Sequence, residues 1–357
     1  FRSSSYVTAV SRNGVGDLAA LIDARSGTGW LTLRTNPATG ALFPANYFRP
    51  NAQFTDFFYL DSGGSSNYHG MIVQLQRKYE KGLILGLSYT LAKSIDDMSV
   101  DPVAATSGGG LSTTNSRTPS DVRNMRLDRS RSDFDNRHVL VVNALYDLPF
   151  GRGQKWGSGW SSVVNHLLGG WTVTGIYVFQ SGEPFTLNAG VRTAHQTKQA
   201  RATLRGPMPS TKLQFVPGIE GPVVFNADTL IEDSTSPYNN CRQIIGTDSY
   251  FCIPGPMDPG MGRNVVQGPG FWNFDMGIIK KFSITERVKL DFRTEFFNLF
   301  NHPNFENPRN ATVGSPTLTS ALFGQTCCIT SALNNSTAVI ATGEPNRVIQ
   351  CALRFSF

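Results

Sequence analysis
The sequence predicts an all-β fold, an antiparallel transmembrane β-barrel with long extracellular loops. Three observations lead there. Apolar residues recur with period two in segments of barrel-strand length, the links between segments alternate short and long, and one strand face carries charges of alternating sign.

The period is clearest in four segments. Over 71–79, Met71, Val73 and Leu75 face one way while Gln74, Gln76 and Lys78 face the other. Over 83–93, Leu83, Leu85, Leu87, Tyr89 and Leu91 alternate with Gly86, Ser88, Thr90 and Ala92, and only Ile84 breaks the pattern. Over 273–282, Phe274, Met276, Ile278 and Phe282 share a face. Over 287–300, Val288, Leu290, Phe292 and Phe296 share one face, and Lys289, Asp291, Arg293 and Glu295 the other. Such a charged face is costly in a dry sandwich and suits a water-filled lumen. Gln74, Gln76, Lys289, Asp291, Arg293 and Glu295 are therefore expected to face the lumen, and Leu83, Leu85, Leu87, Leu290, Phe292 and Phe296 the lipid.

Loop lengths fix the orientation. Short links at 80–82 and 283–285 and a medium one at 150–170 alternate with long ones at 94–133, 182–268 and 301–345, as short periplasmic turns alternate with long extracellular loops. The exception is a short outer link at 62–66. About eight strands are counted from residue 53, and two weaker ones are expected near Tyr6 and Trp30. The chain thus divides into a weakly defined part, 1–52, and a barrel part, 53–357. Aromatic residues near the strand ends, Tyr68, Tyr79, Tyr89, Tyr146, Trp171, Tyr177 and Phe179, suggest an aromatic girdle.

Composition agrees. Among 357 residues the charged share is 16%, below the roughly 25% of soluble domains, while Gly (35) and Phe (24) are generous. No apolar run reaches the ~20 residues of a spanning helix, so a membrane would be crossed by strands. A mean hydropathy of -0.19 fits, because alternating strands average out. The net charge of +6 could suggest nucleic acid, but the basic residues are scattered, and no nucleic-acid partner is expected. Only 117–137 concentrates them: Arg117, Arg123, Arg126, Arg129, Arg131 and Arg137 stand among Asp121, Asp128, Asp133 and Asp135. This segment reads as a solvated loop with internal ion pairs, and contact with lipopolysaccharide phosphates is the alternative.

Little points to catalysis. Gly151-Arg152-Gly153 with Gly157 is one residue off a dinucleotide motif and leads into a Trp-Gly-rich stretch, which reads as a turn. His69, His138, His166, His195 and His302 lack metal-motif spacing, and Asp96, Asp97 and Asp101 lack the glycine and terminal glutamate of a calcium loop. No catalytic, cofactor or metal residues are expected, and the protein is expected not to be an enzyme. Cys241 and Cys252 share one polar loop and suit a local disulfide in an oxidising compartment. Cys327, Cys328 and Cys351 form no zinc spacing.

Several motifs are more specific. The chain ends with Ile349, Cys351, Leu353, Phe355 and Phe357 on one face, like the terminal strand read by the outer-membrane assembly machinery, with Leu353, Phe355 and Phe357 as the signal. Phe292-Arg293 and Phe296-Phe297-Asn298-Leu299-Phe300-Asn301 resemble the penultimate strand of TonB-dependent receptors. Further segments occur in the order of the Oar-like subgroup. They are Ser88-Tyr89-Thr90 with 93–97, then 132–138, 148–153, Gly169-Gly170-Trp171, 181–185, and Gly262-Arg263-Asn264 before Gly268-Pro269-Gly270. The chain thus resembles the barrel of an Oar-like TonB-dependent transporter over about residues 37–357.

The resemblance implies a barrel of about 22 strands around a plug, of which the chain would be a carboxy-terminal part with about 8–10 strands. It implies location in the outer membrane of a Gram-negative bacterium, with outer-membrane lipid and lipopolysaccharide, the assembly machinery, and a transported substrate of unknown identity as partners. TonB would be met through a region ahead of residue 1, since the chain begins with neither a start methionine nor a signal peptide. A passive porin or adhesin is the alternative.

Overall fold
A computed structural model describes residues 64–97, 99, 124–190, 200–219, 221–255, 258–283, 288–308, 314–326 and 346–356. Seven long strands run through them: β1 (Ser66–Glu80), β2 (Leu83–Asp96), β3 (His138–Asp147), β4 (Trp171–Gln180), β5 (Phe271–Ser283), β6 (Lys289–Phe297) and β7 (Val348–Ser356). Each pairs antiparallel with the next in sequence, an up-and-down meander with β1 and β7 at its two edges. The two-residue strand Ser130–Arg131 also pairs with the carboxy-terminal end of β2. The strands expected near Tyr6, Trp30 and 53–61 lie outside the described residues.

Local chemistry accounts for the hairpins. Between β1 and β2 the chain reverses through Lys81 (φ 52) and Gly82 (φ 80), the two positive φ values of a tight hairpin turn. A Cβ at Gly82 would meet the Asp147 carbonyl at 2.9 Å, so the residue also lets the turn pack against the end of β3. Just before the turn, the β1–β2 register slips between Arg77 and Glu80, a β-bulge.

Directly paired residues share a face, so the registers define two faces across the sheet. On one lie Gln74 and Gln76, opposite Ser88 and Gly86, and Asn143, opposite both Gly86 and Ile176. The same face carries Lys281, Asp291 and Arg354 side by side on three strands, with Arg293 and Glu295 joined by an ion pair at 3.2 Å. All six residues expected to line a lumen, Gln74, Gln76, Lys289, Asp291, Arg293 and Glu295, sit on this polar face. It is not uniformly polar: Val141 pairs with Val178, and Ile84 with Leu145. The opposite face carries Leu83, Leu85, Leu87, Val142, Tyr177, Phe274, Leu290, Phe292, Phe296, Leu353 and Phe355. A one-residue slip would bring Lys281, Arg293 and Arg354 to the apolar face, so the register is strongly specified. Gly175 lies on the apolar face beneath the Phe274 ring, which a Cβ there would touch at 3.3 Å.

Two expectations need correction. Tyr68 pairs with Ser94 on the polar face, and the Tyr79 hydroxyl donates to the Asp147 carboxylate at 2.6 Å. Asp147 is a polar-face residue opposite Thr172, so neither tyrosine joins the apolar-face aromatics. For Tyr79 the cause is the bulge, which inverts the alternation. The strand expected over 287–300 covers only Lys289–Phe297. Asn298 turns to φ 50, its amide donates to Asp275 at 2.8 Å, and Leu299 N–H donates to the Phe274 carbonyl at 2.9 Å. The Asn-Leu-Phe-Asn segment is therefore a turn folded back on β5.

The hydrophobic core lies in the loops. Phe185, Leu187, Ala202, Val224, Phe225, Ile244, Phe251, Val266, Leu318 and Phe323 form one buried cluster drawn from 182–268 and 314–326. Phe225, Phe251 and Phe323 pack with ring centroids 5.1 to 6.2 Å apart. Short strands frame the cluster, Thr203–Arg205 with Tyr250–Cys252 and Cys241–Gln243, and Pro184–Phe185 with Val266–Gln267. The described parts of these two long loops thus form a folded cap with its own interior.

Candidate functional site
The cap meets the sheet at the carboxy-terminal end of β2, where motifs far apart in sequence converge. Arg263 donates to the Asp96 carboxylate and carbonyl, to Asp133 Oδ1 at 3.0 Å, to Ser99 Oγ at 2.9 Å and to the Asp128 carbonyl at 3.0 Å. Asp128 in turn accepts from Arg201 at 2.7 Å. Asn264 donates to Asp133 and to the Arg131 carbonyl, and Thr186 donates to Asn264 at 2.9 Å. Arg131 binds the Asp135 carboxylate at 2.6 Å and Gln267 at 2.5 Å, while Gln267 reaches the Gly182 carbonyl. Asp135 also accepts from the Ser94 amide at 2.7 Å.

This belt is buried. Arg263, Asp96, Asp128, Arg201, Asp135 and Asn264 are each at most 6% exposed. Charges withdrawn from water in this way need partners with good geometry, and the planar fork of arginine supplies several donors at once. Burial lowers the pKa of Arg201, and Arg263 adds repulsion, while the Asp128 carboxylate opposes both. Further into the cap, Arg242 stands 5.6 Å from the centre of the Phe323 ring and donates to the Ser320 carbonyl at 2.9 Å. Its pKa is likewise lowered by burial, against the pull of Asp228.

The arginine-rich segment therefore differs from the solvated, internally paired loop expected over 117–137. Within its described part, Arg131–Asp135 is internal, but Asp128 and Asp133 pair with Arg201 and Arg263 across to the next long loop. Arg117, Arg123 and Asp121 lie outside the described residues. Of the acidic residues considered for calcium, Asp96 is held by Arg263 and Asp97 accepts the Ser65 amide at 2.8 Å, while Asp101 lies outside the described residues. Among the described residues no group of three or more His, Cys, Asp and Glu is placed to hold a metal.

A family model for an outer membrane beta barrel domain matches residues 5–350. The chain belongs to this family. Its membrane is accordingly the outer membrane of a Gram-negative bacterium. No curated protein and no solved structure matches the chain.

In this barrel domain Cys241 and Cys252 stand opposite each other in adjacent cap strands and are joined by a disulfide. Leu353 and Phe355 are exposed on the apolar face of the edge strand β7, and Phe357 lies outside the described residues. Cys351, on the same face, is a free exposed thiol, and Cys327 and Cys328 lie outside the described residues. Sequence reasoning did not find Arg201, Asn264 and Gln267 as belt residues, nor the cap core. For the cap core the signals were short apolar runs, 222–225 and 250–253, inside otherwise polar loops.

Proposed function
We propose that this chain is barrel portion of a TonB-dependent outer-membrane transporter, with its polar face lining the lumen and its apolar face toward lipid. The observation that carries the reading is the cap, a packed and disulfide-braced outer surface tied to the rim by a buried arginine–carboxylate belt. A barrel that only lets solutes diffuse needs no such structure, whereas a receptor gains from a recognition surface held rigidly. The alternating charges of Lys281, Asp291 and Arg354 on the polar face support a wet lumen. The protein acts by binding and passage, and we read it as non-enzymatic.

The full-length gene product tests this reading. Purified and placed in a planar bilayer, it is expected to show no steady ion conductance and to bind the soluble carboxy-terminal domain of TonB. Open conductance without TonB binding would mark a passive porin, and a closed protein that does not bind TonB would mark an adhesin.

A further inference from the structure
We propose that the connection between β3 and β4 is an interfacial foot that docks on the phospholipid leaflet at the periplasmic side of the outer membrane. It contains the helix α1 (Ser162–Leu168), capped by the Ser161 side chain, which accepts from the Val164 amide. The proposal rests on the reading of the apolar face as lipid-facing and is independent of TonB coupling.

The connection is held on the apolar side of the sheet. Trp171 and Lys280 are paired residues of that face. Trp171 Nε1 donates to the Leu167 carbonyl at 3.1 Å, and Lys280 Nζ donates to the Gly169 carbonyl. Both acceptors are at the carboxy-terminal end of α1, so the helix sits beside the rim where the lipid-facing belt ends. The same contacts explain a lysine on an apolar face: its ammonium reaches out of the belt to a carbonyl and lies 5.3 Å from the centre of the Trp171 ring.

The helix then points its apolar stripe away from the protein. Val163, Val164, Leu167 and Leu168 fall on one side at helical spacing, and Val163, Leu167 and Leu168 are 70%, 65% and 54% exposed. Asn165 turns the other way and accepts from the Arg152 amide at 2.7 Å, fixing the helix to the preceding turn. Trp156 is exposed, packs on Phe150 and has the Lys155 ammonium 5.3 Å from its ring centre. The segment 148–170 contains Arg152 and Lys155 and no Asp or Glu. Apolar side chains, tryptophans and cations without carboxylates match the acyl boundary and the phosphates of a phospholipid surface. Continuity with the apolar face makes lipid the occupant, rather than a periplasmic protein.

The test places a photo-crosslinking benzoylphenylalanine at Val163, or separately at Leu167, in the full-length protein in native outer membranes, with Phe292 and Asn143 as reference sites. Irradiation is expected to add the mass of one phospholipid at Val163, at Leu167 and at Phe292, and none at Asn143. A phospholipid adduct at Phe292 combined with a protein adduct, or no adduct, at both helix sites overturns the foot alone. A lipid adduct at Asn143 in place of Phe292 overturns the assignment of faces beneath it.

Discussion
Replacing Arg263 by methionine is expected to loosen the cap from the barrel more than any other single substitution in the belt. The change keeps much of the side-chain volume but leaves Asp96 and Asp133 without their shared cation, and Asp96 is 3% exposed. Breaking a buried pair by removing one partner costs about 3–5 kcal/mol, because the remaining charge stays buried. If that cost falls on cap docking, the undocked population rises on the order of a hundredfold or more. Limited proteolysis of the 182–268 loop in native membranes reads this directly, as faster cleavage in the variant. Adding Asp96→Asn should restore part of the resistance, since it removes one of the stranded charges. Arg263→Lys should fall in between, because an ammonium cannot reproduce the fork that reaches Asp96, Asp133, Ser99 and the Asp128 carbonyl together. Wild-type resistance in Arg263→Met would mean that the belt does not hold the cap.

The second large effect is expected at the disulfide. Cys241 and Cys252 are 11 positions apart, and closing a loop of that size limits the unfolded chain by about 3 kcal/mol in the chain-entropy picture. The paired Cys241→Ala and Cys252→Ala variant should therefore lose protease resistance within the cap. The large sheet of β1 to β7, which holds neither cysteine, should keep its resistance to denaturation in detergent. Treatment of wild-type protein with a reductant should reproduce the loss. Equal loss in cap and sheet would show that the two do not unfold separately.

The strands were legible in the sequence because one face of a barrel strand meets a different solvent from the other, and that difference is written as period two. It sufficed to separate Phe292 from Arg293 and to group Leu83, Leu85 and Leu87. It failed where the backbone departs from regular pleating. The bulge before Lys81 inverts the alternation at Tyr79, and the positive φ of Asn298 ends β6 three residues before Phe300. The belt was legible only as charges without partners: the carboxylates of Asp96, Asp128 and Asp133 are visible in the sequence, but their cations at Arg201 and Arg263 lie 73 to 167 positions away. The cap core was hidden for a related reason. Leu187 and Leu318 are single apolar residues, Val224 and Phe251 come from short apolar runs in separate segments, and irregular backbone imposes no period on what it buries.

The assignment of the two faces carries the account, and spin-label accessibility along β6 tests it most directly. In a background with Cys351, Cys327 and Cys328 replaced by serine, single labels at each position from 290 to 295 would be exposed to oxygen, which concentrates in lipid, and to a water-soluble nickel complex. Oxygen accessibility is expected to peak at 290, 292 and 294 and nickel accessibility at 291, 293 and 295. The opposite phase, or no alternation, would contradict a lumen lined by Asp291, Arg293 and Glu295.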